Sequence, residues 1–306
     1  MKKKCSLIIG SSGFIGSKLK ESLPIEQTYS ISLDKNKSTD TKNHFFIDLN
    51  KKKELKKVFD TLSKEHEHIE IYYLAGESSV ENSMESPEKS IGKSLNCILN
   101  VASLAKDINS TIVFASSGSI YDSRRETFFY ENSMIAPPSP YAAIKASSEN
   151  ILFSFYESFG LDIRIARIFS VFGENMQRFF IFDLIKKISS KDDIIQLNGD
   201  GNQKRDYLHV DDVVCGLELI MYGGSKGETY NLCSGKAYSL KQIVKITEET
   251  LKIEKTILWN GKGVQGVRNK WYGANEKITA LGFESPNTKA KLKNTISSIY
   301  KSLNLY

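Results

Sequence analysis

Three side chains near the middle of the chain have the chemistry of a proton-transfer site. Tyr141 and Lys145, in Tyr141-Ala142-Ala143-Ile144-Lys145, stand one helical turn apart and share a helix face. A nearby ammonium favours the phenolate, the form that takes a proton from a hydroxyl. Ser117, in Ser116-Ser117-Gly118-Ser119, follows an apolar run over 111–115 that reads as a strand. A hydroxyl at the carboxyl end of a strand in an open parallel sheet faces the ligand crevice and can hydrogen-bond a substrate oxygen that develops charge. A second Tyr-x-x-x-Lys match, Tyr222 to Lys226, encloses Gly223-Gly224, which argues against a helix there. Pro138-Ser139-Pro140 just before Tyr141 reads as a helix start instead.

A phosphate cradle is expected at the start of the chain. Gly10, Gly13 and Gly16 follow the apolar run 5–9 and open a helix. Glycine lets the backbone approach a pyrophosphate, and the unpaired N–H groups of a helix start point at its charge. Asp34 ends the second strand, where a carboxylate can accept bonds from the adenosine ribose hydroxyls of NAD and repel the extra phosphate of NADP. Lys35 and Lys37 follow it and leave NADP open, and a solvated turn aspartate is the competing reading. Asp48, with Leu49 after the third strand, suits either an adenine contact or a helix cap.

These residues need a scaffold of alternating strands and helices. Strands are expected over 5–9, 29–33, 44–47, 69–74, 111–115 and 162–168, and helices over 14–22, 51–64, 87–106 and 141–159. That alternation predicts right-handed βαβ units, hence an α/β fold with a doubly wound (Rossmann) parallel sheet. Beyond residue 169 the alternation weakens, with helices expected over 179–190, 212–221, 240–251 and 288–302 and strands over 194–197 and 229–232. The division expected is a dinucleotide-binding domain over 1–169 and a smaller α/β substrate-binding region over 170–306, some of whose segments return to the sheet.

The 306 residues carry a formal net charge of +6, from lysines scattered over helical segments. Aromatic residues do not interleave with the basic clusters, so a nucleic-acid partner is not expected, while an anionic small substrate is. The apolar run after Lys2-Lys3-Lys4 stops at Gly10, too short for a signal peptide, and no membrane span is expected. Cys5, Cys97, Cys215 and Cys233 are far apart without metal-ligand spacing, and read as reduced core residues of a cytoplasmic protein with no metal.

Taken in order, Gly10/Gly13/Gly16, Leu74-Ala75-Gly76, Ser117/Tyr141/Lys145, Arg167-Ile168-Phe169-Ser170-Val171-Phe172-Gly173 and Gly199-Asp200-Gly201-Asn202-Gln203-Lys204-Arg205-Asp206 resemble the extended short-chain dehydrogenase/reductases, in particular the nucleotide-sugar epimerase/dehydratase group. The resemblance implies Ser117, Tyr141 and Lys145 as catalytic residues. It implies Phe14 and Ile15 beside the pyrophosphate, Asp48 and Leu49 at adenine, and Leu74, Ala75, Gly76 and Phe169 towards the nicotinamide half. Asn96 would anchor the cofactor region, Ser170 would help bind substrate, and Arg205 would grip the sugar nucleotide's diphosphate, against the plainer reading of an Arg205–Asp206 surface pair. The 4,6-dehydratases of the group carry Asp-Glu where this chain has Gly118-Ser119, so loss of water is not expected. The resemblance therefore implies a cytoplasmic, homodimeric, NAD-dependent C4 epimerase acting in polysaccharide biosynthesis. A 4-keto-sugar reductase using NAD(P)H is the alternative, and a nucleotide-sugar decarboxylase or a non-catalytic nucleotide sensor stands further off.

Overall fold

The computed structural model describes residues 4–33, 43–124, 126–263, 266, 270–284 and 287–303. In chain order its strands are β1 (Cys5–Ile9), β2 (Thr28–Ser32), β3 (His44–Phe46), β4 (Ile69–Tyr73), β5 (Ser110–Ser117), β6 (Phe128–Phe129) and β7 (Asp162–Ile168). There follow β8 (Ser170–Phe172), β9 (Ile194–Leu197), β10 (Lys204–His209), β11 (Thr229–Leu232), β12 (Ala237–Ser239), β13 (Thr256–Trp259) and β14 (Lys270–Gly273). The helices are α1 (Phe14–Ser22), α2 (Lys52–Glu65), α3 (Val80–Glu85), α4 (Pro87–Ala105) and α5 (Pro140–Phe159). After the first half come α6 (Phe180–Ile188), α7 (Val210–Gly223), α8 (Leu240–Leu251), α9 (Glu276–Thr279) and α10 (Thr288–Leu303).

Seven strands pair in the order β11-β7-β5-β4-β1-β2-β3, all parallel. β1 and β4 are buried at every position, the pattern of a sheet covered on both faces. On one face α2 presents Leu55, Val58, Phe59 and Leu62 at helical spacing, and they pack with Val101 of α4 and Leu152 of α5. On the other face Leu19 of α1 packs with Val213, Leu217 and Ile220 of α7. The chain steps outward from β1 to β2 and β3 on one side and to β4 and β5 on the other. The ends of β1 and β4 therefore border the crevice where open α/β sheets bind ligands.

The C-terminal part differs from the expected layout in one way that matters to the site. The stretch Lys204–His209, too polar to announce a strand, is β10, and it pairs with β8, β12 and β14. The expected strand over 229–232 is β11, which lies beside β7 in the central sheet. A separate core joins α6, α8 and α10 through Leu184, Ile243, Leu292 and Ile296. Of the four free cysteines, Cys5, Cys97 and Cys233 are buried, but Cys215 sits on the exposed side of α7, contrary to its expected core place.

Candidate active site

The glycine turn is built by contact. A Cβ on Gly16 would stand 2.2 Å from the Gly10 carbonyl oxygen, and one on Gly10 would stand 2.7 Å from the Ala75 nitrogen. Gly10 also holds φ 96°, a conformation open to glycine. The loops after β1 and β4 thus meet backbone to backbone. No side chain caps α1 at Gly13, so its first N–H groups are available to an anion.

These loops line a cavity of about 1210 Å³. Gly10, Gly13, Phe14, Ile15, Gly16, Asp48, Leu49, Leu74, Ala75 and Gly76 line it, as do Ser117, Tyr141, Lys145, Phe169, Ser170 and Arg205. Asp34 lies outside the described residues, and Leu33 before it borders the cavity. Asp48 is not the cap of α2. Its Oδ1 accepts from the Asn50 backbone N–H at 3.0 Å and the Asn50 amide at 3.1 Å, and these bonds hold its pKa down. Asn96 is not among the residues that border the cavity. Its amide donates to Asn50 Oδ1 at 2.7 Å, and the Asn50 amide in turn binds Asp48; Lys93, Ser94 and Cys97 of α4 border the cavity.

Ser117 and Tyr141 meet as expected. Pro140 occupies the first position of α5, and Ser139 Oγ caps the helix by accepting from the Ala142 N–H at 3.3 Å. That start places Tyr141 at the end of β5, where its phenol hydrogen-bonds the Ser117 hydroxyl. Ser117 Oγ also lies 2.9 Å from Ser119 Oγ and accepts from the Ser119 N–H at 3.2 Å. Lys145 also lines the cavity. Its ammonium donates to the Ala115 carbonyl at 2.7 Å and sits 5.1 Å from the Phe114 ring centre. Burial pulls the Lys145 pKa down to about 8, against a smaller opposing pull from Glu149. Burial raises the Tyr141 pKa, the Ser117 bond lowers it, and Glu77 and Arg178 act on it with opposite signs.

A buried polar network lies behind these groups. Glu149, four residues after Lys145 on α5, accepts from Ser116 Oγ and pairs with Arg167 at 2.7 Å. Arg167 also donates to the Tyr121 hydroxyl at 2.9 Å, and Tyr121 donates to Asn231 of β11 at 2.6 Å. This network ties β5, α5, β7 and β11 together directly behind Ser117. The i, i+4 spacing of Glu149 from Lys145 was its one sequence signal.

At the substrate side, strand alternation separates Arg205 from Asp206. Asp206 turns into the interior and accepts from the Ser234 N–H and Oγ, both at 2.7 Å, and from the Gly235 N–H at 2.9 Å. Arg205 faces the cavity over Trp271, 5.7 Å from its ring centre, and Trp271 stacks on Phe169 at 5.4 Å. Desolvation lowers the Arg205 pKa to about 10, which leaves the guanidinium charged at neutral pH. Phe169 also explains Gly118, because a Cβ there would lie 2.8 Å from the ring. Two cavity residues that the sequence did not single out, Glu77 and Arg178, complete the wall near Tyr141.

The glycine cradle and uncapped α1 fit the pyrophosphate of a dinucleotide, and Asp48 and Lys145 line the same cavity. Among the described residues there is no cluster of three or more His, Cys, Asp or Glu that could hold a metal, and no helix long and apolar enough to cross a membrane.

Residues 6–233 match the model of the NAD dependent epimerase/dehydratase family. A UDP-glucuronate 4-epimerase of Thermodesulfobacterium geofontis is 28% identical over 272 residues, spanning 80% of each chain. A GDP-6-deoxy-D-mannose reductase of Pseudomonas aeruginosa is 25% identical over 197 residues, 61% of this chain and 65% of the reductase. The solved UDP-glucose 4-epimerase of Thermotoga maritima, with UDP-glucose, has a TM-score of 0.87 and 23% identity over 97% of this chain and 99% of its own. With its parallel sheet, glycine cradle and Ser117–Tyr141 pair, the chain belongs to the NAD dependent epimerase/dehydratase family, enzymes of the extended short-chain dehydrogenase/reductase type.

Proposed function

We propose that the protein is an epimerase that inverts C4 of a nucleotide-activated sugar through a transient 4-keto form. The observation that carries this reading is the Ser117–Tyr141 pair beside Gly118 and Ser119, where a dehydratase needs an acid and a base. Phe169 fills the space a side chain at 118 would take, so the pocket supports proton transfer at one oxygen and not elimination.

Tyr141, as phenolate, accepts the proton of the sugar O4 hydroxyl, and Ser117 bridges that oxygen and the phenol. NAD⁺ held on the cradle of Gly10, Gly13 and Gly16 would supply the hydride acceptor and donor for C4. Lys145, anchored on the Ala115 carbonyl, holds the nicotinamide-ribose end of the site positive. Arg205 pairs with the diphosphate, a task that suits a bidentate guanidinium. When the keto sugar has turned over in the pocket, so that C4 presents its opposite face for hydride return, Tyr141 returns the proton to O4. The reading includes a homodimer through α4 and α5, which expose Leu99 and Phe159, and a reducing compartment that suits the four free cysteines.

The same triad serves a 4-keto-sugar reductase, and the family membership of the reductase relative keeps that as the second reading. Purified protein offered nucleotide sugars and their 4-keto derivatives, with and without NADH or NADPH, separates the two. Isomerisation without added reduced cofactor supports the epimerase. Reduction of a keto sugar with stoichiometric loss of NADH or NADPH, and isomerisation of no sugar, overturns it.

A further inference from the structure

The first N–H groups of a helix have no partner inside it and must find one elsewhere. At the start of α5 each can be followed. Pro140 has no N–H. The Ala142 N–H goes to Ser139 Oγ at 3.3 Å and the Ala143 N–H to the Ser139 carbonyl at 2.9 Å, both supplied by the residue just before the helix. The remaining N–H belongs to Tyr141, the proposed proton acceptor. It goes to Ser83 Oγ of α3 at 3.1 Å, across 58 residues of sequence.

Ser83 is built to receive it. Among the described residues, the six of α3 bury one side chain, and it is this serine, 0% exposed. A short helix that only packed would turn an apolar residue inward, whereas a buried hydroxyl needs partners. The Ser83 hydroxyl donates to the Val80 carbonyl at 2.6 Å, which leaves its oxygen as the acceptor for Tyr141. α3 is fixed in turn to the loop after β4. Glu77 Oε1 accepts from the Ser78 and Ser79 N–H groups, both at 2.8 Å, and Ser79 Oγ caps α3 by accepting from the Asn82 N–H at 3.2 Å. That loop begins at Leu74, whose N–H goes to the Ile9 carbonyl at 2.8 Å, beside the glycine turn. The glycine cradle and the start of α5 are thus joined through α3, and the last link is Ser83.

Resting on Tyr141 as the proton carrier, which the epimerase and reductase readings share, we propose that Ser83 is a positioning residue for the reaction: its hydroxyl holds the backbone of Tyr141, and with it the phenol, within reach of the substrate oxygen beside Ser117. Ser83 is not among the residues that border the cavity, so it acts through Tyr141 and touches neither substrate nor cofactor. The body of α5 is located by other contacts, Ala142 and Ala146 packing with Ile120 and Lys145 donating to the Ala115 carbonyl. Those contacts survive loss of the Ser83 hydroxyl. What changes is the first turn, where the Tyr141 N–H loses its partner and the backbone shifts to find another. Proton transfer is sensitive to such a shift, because the phenol has to lie within hydrogen-bond reach of the hydroxyl it serves.

The test compares wild type, Ser83→Ala and Ser83→Cys, loaded with NAD⁺, on the sugar nucleotide or keto sugar that wild type turns over. Ser83→Cys fills the same space with a weak acceptor and carries the comparison where the alanine variant does not fold. The readouts are kcat, KM, calorimetric Kd for NAD⁺ and urea unfolding. Ser83→Ala is expected to lose about 10- to 100-fold in kcat, and Ser83→Cys less, while KM and the NAD⁺ Kd stay within about threefold of wild type. A folded variant whose kcat stays within about threefold of wild type, whatever its loss of stability, overturns the inference and leaves the epimerase reading standing. A parallel loss of NAD⁺ binding, or failure of both variants to fold, places Ser83 in the scaffold and overturns it as well. Keto-sugar reduction without isomerisation overturns the epimerase, and the expected fall in kcat for that reduction retains the role of Ser83. Turnover of neither class by wild type overturns both.

Discussion

Replacing Lys145 by Met should change how stability depends on pH, in a direction fixed by burial. In the folded chain the Lys145 pKa is about 8, down from 10.5, because the ammonium is desolvated. Between those values the unfolded chain binds more protons than the folded one, so the stability of the wild type rises with pH through that window. Below pH 8 the folded chain bears the full cost of burying the charge. At 1.36 kcal/mol per pKa unit that cost is about 3 kcal/mol at pH 7, and it vanishes above about pH 10.5. Lys145→Met removes the titration while keeping an unbranched side chain in the space. Urea unfolding of both proteins at pH 7, 8.5 and 10.5 measures the difference, in which all other titrating groups cancel. Wild type should gain about 3 kcal/mol on the variant across the series. A constant offset, or a gain by the variant, would refute the claim that Lys145 is held as a costly buried cation ready for the cofactor.

Tyr141→Phe should lower turnover roughly 10²- to 10⁴-fold while NAD binding survives. Tyr222→Phe should leave activity intact, since Tyr222 is 61% exposed and donates to Glu70. Arg205→Ala should raise KM about 10- to 100-fold through loss of a charge-assisted contact, with a smaller change in kcat; an unchanged KM would dismiss the diphosphate role. Glu149→Ala should cost about 3–5 kcal/mol in urea unfolding, because it strands the buried Arg167 charge, and a loss below about 1 kcal/mol would show that the network does not brace β5.

What the sequence made legible was whatever burial writes as an apolar run. β1 was readable to the residue because both faces of its sheet are covered, and α2 because four apolar residues fall on one face. β10 was not, since its first residues, Lys204, Arg205 and Asp206, are charged, and only the pairing with β8, β12 and β14 makes them a strand. The six-residue α3 is too short to show a period. Within the site, the glycines, Ser117 and Tyr141 could be placed because turns and helix starts have local chemistry. Asn96 reaches Asp48 only through Asn50, a relay that no spacing in the sequence announces. Glu77 and Arg178 reach the cavity through loops that carry no periodic signal, and the orientation of Lys145 towards Ala115 depends on a strand thirty residues away.

The most direct test of the C4 reading follows the hydride. A nucleotide sugar deuterated at C4, incubated in ordinary water with the holoenzyme and no added NADH, should yield its C4 epimer with the deuterium still at C4, because the hydride leaves and returns within one active site. Loss of the label to solvent, or its recovery only in free NADH with no epimer formed, would contradict the account.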